Sequence, residues 1–232
     1  MPRNNRRDRA RGAGSVAATH APAGQGAARD AGPRRGGGEV RIVGGAWRGR
    51  KIAVSGVPGL RPTPDRVRET LFNWLQFEIA GRRCLDLFAG SGALGLEALS
   101  RGAAEVVFVE RERVAVDAIE AALARFGSER GRVVQADAFA WLREAPPAAF
   151  DLVFVDPPFA EARLGEAVAR LEASGGLADG AWIYLEDAAA RGTPALPPGW
   201  ALVRSKRAGD VGYHLARRGA AAAGEAERGG SA

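Results

Sequence analysis

Short apolar runs alternate with longer amphipathic segments along the chain from residue 82 onward. The run EVVFVE (105–110), for example, precedes residues 112–126, in which apolar side chains recur every three or four positions. Strands that are apolar throughout are typical of a parallel sheet covered by helices on both faces. The predicted strands are 84–88, 105–110, 132–137, 151–156 and 182–187, and the predicted helices are 92–101, 112–126, 138–144 and 161–173.

The two ends of this region follow other patterns. Residues 200–207 and 211–217 flank a turn centred on Gly209, which predicts an antiparallel hairpin. Residues 40–54 predict a small strand pair around a Gly-rich turn, and Thr63-Pro64 predicts the start of a helix with Thr63 as N-cap. The expected fold is α/β: a Rossmann-like, doubly wound, mostly parallel seven-stranded sheet with an antiparallel C-terminal hairpin, plus a small N-terminal β-hairpin and helix. This is the architecture of class I methyltransferases.

Composition divides the chain into three parts. Residues 1–38 are rich in Arg and Gly and poor in large apolar residues, which predicts a disordered extension. Residues 219–232 are also of low complexity and predict a flexible tail. The folded domain is expected over residues 39–218, about the size of a single domain.

Several classes of protein are excluded or disfavoured by composition. No apolar run approaches the ~18 to 20 residues of a membrane helix, and no secretory signal is recognisable. Cys84 is the only cysteine, so an internal disulfide and a cysteine metal cluster are impossible, and His20 and His214 suggest no metal site. We therefore expect a soluble cytoplasmic protein without a metal.

Positive charge is concentrated in the first third of the chain. Residues 1–68 contain 15 Lys or Arg and four acids, whereas the remainder contains 18 and 23. This asymmetry suggests a polyanionic partner that meets one face of the protein, although a general abundance of arginine would also produce it.

A Gly-rich turn follows the first predicted strand of the sheet. It reads Asp86-Leu-Phe-Ala-Gly90-Ser91-Gly92, and the glycine spacing continues to Gly95. Glycines allow a ligand to approach the backbone, and a helix N-terminus offers free N–H groups. The spacing alone leaves NAD possible, and such a turn also occurs without a ligand. Asp86 favours a different ligand, because a carboxylate repels a diphosphate and attracts the ammonium group of a methionine moiety.

Acidic residues end the next two predicted strands. Glu110 is placed to accept hydrogen bonds from the ribose hydroxyls of a nucleoside, and Asp137 with Ala138 is placed to contact an adenine edge. A single acid at a strand end arises often by chance. Three at successive strand ends beside a Gly-rich turn favour a nucleoside cofactor that carries a methionine group.

Asp156-Pro157-Pro158-Phe159 directly follows the apolar run DLVFV (151–155) and is the most specific motif. Two prolines make a turn stiff. An exocyclic amino nitrogen such as guanine N2 is a poor nucleophile because its lone pair is delocalised. The Asp156 carboxylate and the Pro157 carbonyl could accept both amino hydrogens and so direct the lone pair to a methyl donor. The ring of Phe159 would stack on the target base, which would have to be flipped out of its RNA helix.

These motifs together resemble a known family. The tetrapeptide is similar to the (D/N)-P-P-(Y/F/W) motif of amino-group methyltransferases. The segments RIVGGAWRGRKI (41–52), LRPTPDRVRETLFNWL (60–75), CLDLFAGSGALGLEALSRGA (84–103) and VFVDPPF (153–159) resemble the RsmD family, over about residues 40–217. That family comprises bacterial enzymes that methylate N2 of guanine 966 in 16S ribosomal RNA. The long Arg/Gly-rich extension is the main departure from the family pattern.

The resemblance implies that the protein uses S-adenosylmethionine as its cofactor and acts as a monomer. It also implies that the partner is 16S ribosomal RNA within a small-subunit assembly particle. It assigns further residues to the cofactor or to the RNA entrance. The cofactor-binding set is Thr63, Arg68, Asp86, Phe88, Gly90, Ser91, Gly92, Glu110, Arg111, Asp137, Ala138 and Asp156. The RNA-binding set is Arg41, Arg48, Arg50, Lys51, Arg61, Arg66, Lys206 and Arg207, with Tyr213 beside the active-site mouth. Without the resemblance, Arg61, Arg66 and Arg68 read as a solvated helix face.

Three other functions fit parts of the pattern. An enzyme acting on adenine N6 or on glutamine shares the tetrapeptide, but the chain has no room for a DNA-recognition region, and glutamine enzymes usually have Asn in place of Asp156. An NAD-dependent oxidoreductase shares the Gly-rich turn but has no use for residues 156–159. A non-catalytic RNA-binding protein that keeps a methyltransferase fold is disfavoured, because Asp86, Glu110 and Asp156 are all present.

Overall fold

The computed structural model describes residues 38–54, 63–147, 149–159 and 162–219. The strands are β1 (Glu39–Arg41), β2 (Lys51–Ala53), β3 (Arg83–Asp86), β4 (Glu105–Glu110), β5 (Gly131–Gln135), β6 (Phe150–Val155), β7 (Leu177–Ala188), β8 (Trp200–Ala208) and β9 (Val211–Arg218). The helices are α1 (Asp65–Trp74), α2 (Ala93–Ser100), α3 (Arg113–Phe126), α4 (Ala138–Leu142) and α5 (Leu164–Ala173).

Seven of the strands form one sheet in the order β5-β4-β3-β6-β7-β9-β8. The pairs from β5 to β7 are parallel, and β9 and β8 complete the sheet in antiparallel orientation. This confirms the predicted sheet and its C-terminal hairpin. The chain runs from β3 outward to β5 and then returns to the other side of β3 as β6. The carboxyl ends of β3 and β6 therefore border the crevice where ligands bind in sheets of this kind.

Two layers of buried apolar side chains cover the sheet. Successive residues of β4 alternate between them: Phe108 faces α1, α2 and α3, whereas Val107 and Val109 face α4 and α5. This alternation is the two-residue period of a strand buried on both sides, which explains its continuous apolar run.

The N-terminal hairpin of β1 and β2 is docked on α2. The Trp47 backbone N–H donates to Ser100 Oγ (2.9 Å), and the Ser100 hydroxyl donates to the Gly44 carbonyl oxygen (2.6 Å). All eight residues of α2 are buried, because the helix lies between the sheet and this hairpin. Its almost entirely apolar sequence therefore follows from contacts on both sides.

Two predicted boundaries are wrong. The strand predicted at 182–187 begins at Leu177, which pairs with Phe150. Gly180 interrupts the apolar pattern with φ +71°, and the regular register resumes at Trp182. The helix predicted from Thr63 begins at Asp65, and Pro64 is its N-cap without a side-chain capping bond. The other predicted elements are present, with ends shifted by at most three residues.

Some predictions concern residues outside those described. The extension (1–38), apart from Gly38, and the tail (219–232), apart from Gly219, are outside, as is Arg61. Within the described ranges, no helix has both the length and the apolar character required to span a bilayer.

Candidate active site

Acidic side chains from four strands meet at the carboxyl edge of the sheet. Asp86 is the last residue of β3 and Glu110 the last of β4, while Asp156 directly follows β6 and Glu186 lies near the end of β7. Asp86, Glu110 and Glu186 are buried, whereas Asp156 retains a partly exposed surface. The structure thus brings together acids that are up to 100 residues apart in sequence.

The Gly-rich turn places a helix N-terminus at this edge. Gly92 adopts φ +73° and is the N-cap of α2, so a side chain there would be strained. Gly95 lies in the first turn of α2, and its backbone N–H donates to Asp86 Oδ2 (2.9 Å). A Cβ at Gly95 would overlap the ring of Phe108, so this glycine allows α2 to pack closely on β4. The turn therefore holds the buried Asp86 carboxylate directly beneath the helix N-terminus.

Glu110 fastens the turn to the next strand. Its Oε2 accepts a hydrogen bond from the Gly90 backbone N–H (2.7 Å), and its Oε1 accepts one from Glu112 N–H (2.8 Å). A carboxylate has about four acceptor positions, so these bonds leave capacity for the two ribose hydroxyls. The predicted ribose contact therefore remains compatible with the structure.

Asp137 has a local role that the sequence analysis missed. The strand expected to include it ends at Gln135, and Asp137 is instead the N-cap of α4. Its Oδ1 accepts from the backbone N–H groups of Phe139 (3.0 Å) and Ala140 (2.9 Å). The adenine contact predicted for Asp137 and the buried Ala138 stays a prediction.

Other residues of the predicted cofactor set lie around the same edge. Ser91 is buried in the turn, and Phe88 packs against Phe139 with their ring centroids 5.7 Å apart. Arg111 is exposed just beyond β4, and its Nε lies 3.3 Å from Glu112 Oε1.

The turn at residues 156–159 is held at both ends. At its start, the Thr63 hydroxyl donates to Asp156 Oδ2 (3.3 Å). At its end, Arg191 donates to the Phe159 carbonyl oxygen (2.8 Å) and forms an ion pair with Asp187. Pro157 is buried, Pro158 is exposed and Phe159 is half-buried, so the aromatic ring has a surface available to a partner. The hydroxyl of Thr63 thus contacts the site directly instead of capping α1.

Glu186 was absent from the predicted site. It is 3% exposed, and the Tyr184 hydroxyl donates to its Oε2 (2.6 Å). The apolar pattern of residues 182–187 predicts only a strand. The same signal that identified Glu110 was present, since Glu186 and Asp187 lie near the end of a mostly apolar strand that pairs with β6.

Burial and mutual repulsion change the protonation of these acids. Burial raises the pKa of Asp86 to about 7, against the opposing effect of the Gly95 hydrogen bond. Burial also raises the pKa of Glu186 to about 7, although the hydrogen bond from the Tyr184 hydroxyl opposes it. Burial, and then the charges of Glu186 and Asp86, raise the pKa of Asp156 well above its ordinary value. Such a cluster favours a positively charged ligand. S-adenosylmethionine fits this donor set, because it carries an ammonium and a sulfonium group.

The chain matches the family model described as Conserved hypothetical protein 95 over residues 40–217. It is 49% identical over 183 residues to ribosomal RNA small subunit methyltransferase D of Escherichia coli, covering 79% of this chain and 92% of the relative. The solved structure of yhhF from Escherichia coli is 47% identical, with a TM-score of 0.72 over 78% of this chain and 98% of that chain. The chain belongs to the RsmD family. A more distant solved structure, complexed with SAH, shares the fold at 14% identity and a TM-score of 0.58, covering 73% of this chain and 54% of that chain.

The predicted RNA-binding residues of this RsmD-family chain lie at the surface where they are described. Arg41, Arg48, Arg50 and Lys51 are exposed on the N-terminal hairpin, Arg66 on α1, and Lys206 and Arg207 on the β8–β9 hairpin. We refer to Arg48, Arg50 and Lys51 as the basic turn. Arg50 lies over the ring of Phe126 (4.8 Å), and Lys51 pairs with Glu39 (2.5 Å). Tyr213 is buried beside the site, paired in register with Glu186 and stacked on Trp74.

Arg68 of the RsmD-family chain is not part of a solvated helix face. Its side chain is fully buried, and Nη2 donates to the Arg41 carbonyl oxygen (2.7 Å) and to Asp65 Oδ1 (2.6 Å). Nη1 lies 3.7 Å from the buried Glu97 of α2. The solvated interpretation is therefore wrong for this arginine, because it joins α1 to the hairpin and to α2. In this conformation it offers no accessible surface to a cofactor or to RNA.

Proposed function

We propose that this protein transfers a methyl group from S-adenosylmethionine to N2 of guanine 966 in the 16S ribosomal RNA of the small subunit, as a monomer acting on an assembly particle. The observation that carries the proposal is the position of Asp156-Pro157-Pro158-Phe159. This turn lies at the carboxyl end of β6, next to the acidic crevice, in a chain of the RsmD family.

The residues of the turn have distinct roles in presenting the base. The Asp156 carboxylate and the Pro157 carbonyl accept the two hydrogens of the amino group, which favours a pyramidal nitrogen with its lone pair free to attack. Acceptors aimed at this nitrogen also stabilise the positive charge that develops on it during transfer. The half-buried ring of Phe159 stacks on the base, which must leave its helix to reach the site.

Acidic residues at or just beyond the ends of three strands, β3, β4 and β5, would hold the cofactor. Asp86 would bind its ammonium group, Glu110 the ribose hydroxyls, and Asp137 with Ala138 the adenine edge. When bound, S-adenosylmethionine supplies a methyl group on a positively charged sulfur. The buried acids lower the energy of that positive charge in the crevice, and Gly92 allows the left-handed backbone conformation with which α2 begins at this edge.

The surface cations would bind the RNA backbone. The basic turn, Arg41, Arg66, Lys206 and Arg207 are exposed and can contact phosphates. Such contacts provide affinity that depends on salt, whereas the choice of base is made at residues 156–159. Arg61 belongs to this proposed set by its position in sequence.

Asp156→Ala tests the proposed role of the carboxylate. We expect the rate of methyl transfer to fall by at least about a hundredfold, since an acceptor for the amino group is lost. Cofactor affinity measured by calorimetry should change by less than about threefold, because the other strand ends remain. Asp210→Ala removes an exposed carboxylate from the β8–β9 turn and serves as the matched control.

The readout identifies the product as well as the rate. Mass spectrometry of nuclease-digested 16S RNA, after incubation of unmethylated subunits or free RNA with the protein, should find the methyl group on N2 of one guanine. Near-normal turnover by Asp156→Ala would refute the role of the carboxylate. A methyl group on adenine N6, or no transfer by the unmodified protein, would refute the proposed function.

A further inference from the structure

A surface cavity of about 250 Å³ is lined by the β8–β9 hairpin and by the segment that follows β7. The hairpin contributes Ser205, Arg207, Gly212 and His214, and the segment contributes Thr193. Ser205 is paired in register with His214, and Arg207 with Gly212, so these four residues lie on one face of the hairpin. The cavity therefore combines hydroxyl, guanidinium and imidazole groups, and no carboxylate of the described residues is among those that line it.

One nitrogen of His214 is a buried polar atom without a partner. The residue is 4% exposed, and its Nδ1 lies 2.9 Å from Ser205 Oγ, whereas Nε2 has no hydrogen-bond partner among the described residues. Burial lowers the pKa of His214, against the opposing charge of Asp187, so the ring is neutral near pH 7 and carries one hydrogen. When the Ser205 hydroxyl donates to Nδ1, that hydrogen lies on Nε2 and has no acceptor.

Gly212 leaves space beside this nitrogen. A Cβ at Gly212 would lie 3.4 Å from His214 Nε2 and 3.4 Å from the Ala189 Cα, which are ordinary contact distances. The φ angle of Gly212 is also outside the left-handed region, so neither crowding nor backbone conformation demands a glycine here. What the missing side chain provides is open space, through which an acceptor in the cavity can approach Nε2.

We propose that this cavity binds one phosphate of the RNA backbone next to the target guanosine, with His214 Nε2–H and the Arg207 guanidinium as donors; this rests on the proposed function. A phosphodiester carries a single negative charge and has two oxygens that only accept hydrogen bonds. Arg207 Nε donates to the Gly209 carbonyl oxygen (2.8 Å), and a guanidinium has four further hydrogens to donate. The Thr193 hydroxyl adds a neutral donor at the rim.

The cavity is connected to the turn that would hold the base. Ala189 and Gly192 line the cavity and flank Arg191 in sequence, and Arg191 donates to the Phe159 carbonyl oxygen (2.8 Å). The charge of Asp187, which would oppose that of a phosphate, is balanced by its ion pair with Arg191. Because phosphate contacts set the register of a nucleic acid on a protein, a phosphate bound here would fix the RNA backbone beside the residue that stacks on the base.

Gly212→Ala tests the site directly. Its methyl group fits the folded protein but occupies the space beside His214 Nε2. Binding of a short 16S RNA that contains the target guanosine, measured by filter binding, should weaken by about tenfold. His214→Phe, which keeps a ring but removes both nitrogens, should cause a similar loss. Gly165→Ala in α5, where a Cβ meets no neighbour, is the matched control and should bind as the unmodified protein does.

A series of modified RNAs identifies the phosphate that enters the cavity. In each RNA, an uncharged methylphosphonate replaces one phosphate near the target guanosine. One replacement should weaken binding to the unmodified protein by about tenfold and change binding to Gly212→Ala by less than about twofold, because that variant has already lost the contact. Normal RNA binding by folded Gly212→Ala and His214→Phe would overturn the inference. Equal effects of every replacement on Gly212→Ala and on the unmodified protein would also overturn it.

A measurement with inorganic phosphate requires neither RNA nor activity. The chain has two histidines, His20 and His214, so His20→Gln assigns their ring signals in nitrogen NMR. The Nε2 signal of His214 should be that of a protonated nitrogen, and phosphate at constant pH and ionic strength should shift it in the unmodified protein but not in Gly212→Ala. An unprotonated Nε2, or no shift in the unmodified protein, would refute the site. A shift without any effect of the modified RNAs would refute the role in RNA binding. A shift in a protein that transfers no methyl group to guanine would refute the proposed function and leave the phosphate site in place.

Discussion

Arg68→Met should destabilise the protein by about 3 kcal/mol, because it breaks a buried ion pair without leaving a large cavity. Breaking such a pair typically costs about 3 to 5 kcal/mol. The lower end applies here since Glu97 retains two partners, the Arg101 Nε (2.8 Å) and the Val43 backbone N–H (2.8 Å). The methionine side chain fills the volume of the arginine stem, so the loss is mainly electrostatic.

Glu97→Gln should cost more, about 4 to 5 kcal/mol. Without Glu97, the fully buried Arg68 keeps a single anionic partner among the described residues, Asp65, whose side chain is 59% exposed. The double variant should lose less unfolding free energy than the two single variants lose together, by up to about 3 kcal/mol. The reason is that the second substitution removes the buried charge that the first leaves without its partner. The ordering of the two single variants follows directly from the partners that each leaves behind.

Urea unfolding followed by circular dichroism measures these free energies. A loss of about 3 kcal/mol should lower the Tm by roughly 6 to 12 °C for a protein of this size. Arg66→Met is the matched control, since Arg66 is exposed on the same helix and its loss should cost less than about 0.5 kcal/mol. Equal effects of Arg68→Met and Arg66→Met would refute the buried position of Arg68, and strict additivity with Glu97→Gln would refute the pairing.

Three further predictions concern the turn, the acidic edge and the RNA surface. Gly95→Ala should destabilise the protein by about 1 to 3 kcal/mol in urea unfolding because its Cβ overlaps Phe108, whereas Gly165→Ala in α5, which meets no neighbour, should not. Burial raises the pKa of Asp86 in the folded protein to about 7, so the free energy of unfolding of the unmodified protein should fall as the pH rises from about 4 to 7. Asp86→Asn should reduce that fall by roughly 4 kcal/mol. Identical curves of unfolding free energy against pH for the two proteins would contradict the effect of burial. Neutralising the basic turn should reduce the salt slope of RNA binding by about 2 to 3 in filter-binding titrations, and an unchanged slope would place the RNA contact elsewhere.

The sequence predicted those features that depend on neighbours in the chain. Strands and helices of the sheet follow from apolar periodicity, and the Gly-rich turn and residues 156–159 are continuous motifs. Even among these features, the sequence did not predict the correct role of a residue type that occurs both in regular elements and at their ends. Asp137 was expected to end a strand but is the N-cap of α4. Gly180 interrupts the apolar pattern, so the first half of β7 was not predicted as a strand.

Contacts between distant segments could not be predicted in the same way. Thr63 reads as a helix cap, yet its hydroxyl reaches Asp156, 93 positions away. Arg68 reads as a surface cation, yet it is buried, because the N-terminal hairpin covers the face of α1 that periodicity leaves open.

Periodicity and short motifs establish where each acid lies along its strand, because backbone geometry repeats every two or 3.6 residues. Whether an acid there is charged depends on its distance from other acids and on the water it has lost. Those quantities are set by the packing of β3, β6 and β7 side by side, and so the protonation of Asp86, Asp156 and Glu186 emerges only when the sheet is assembled.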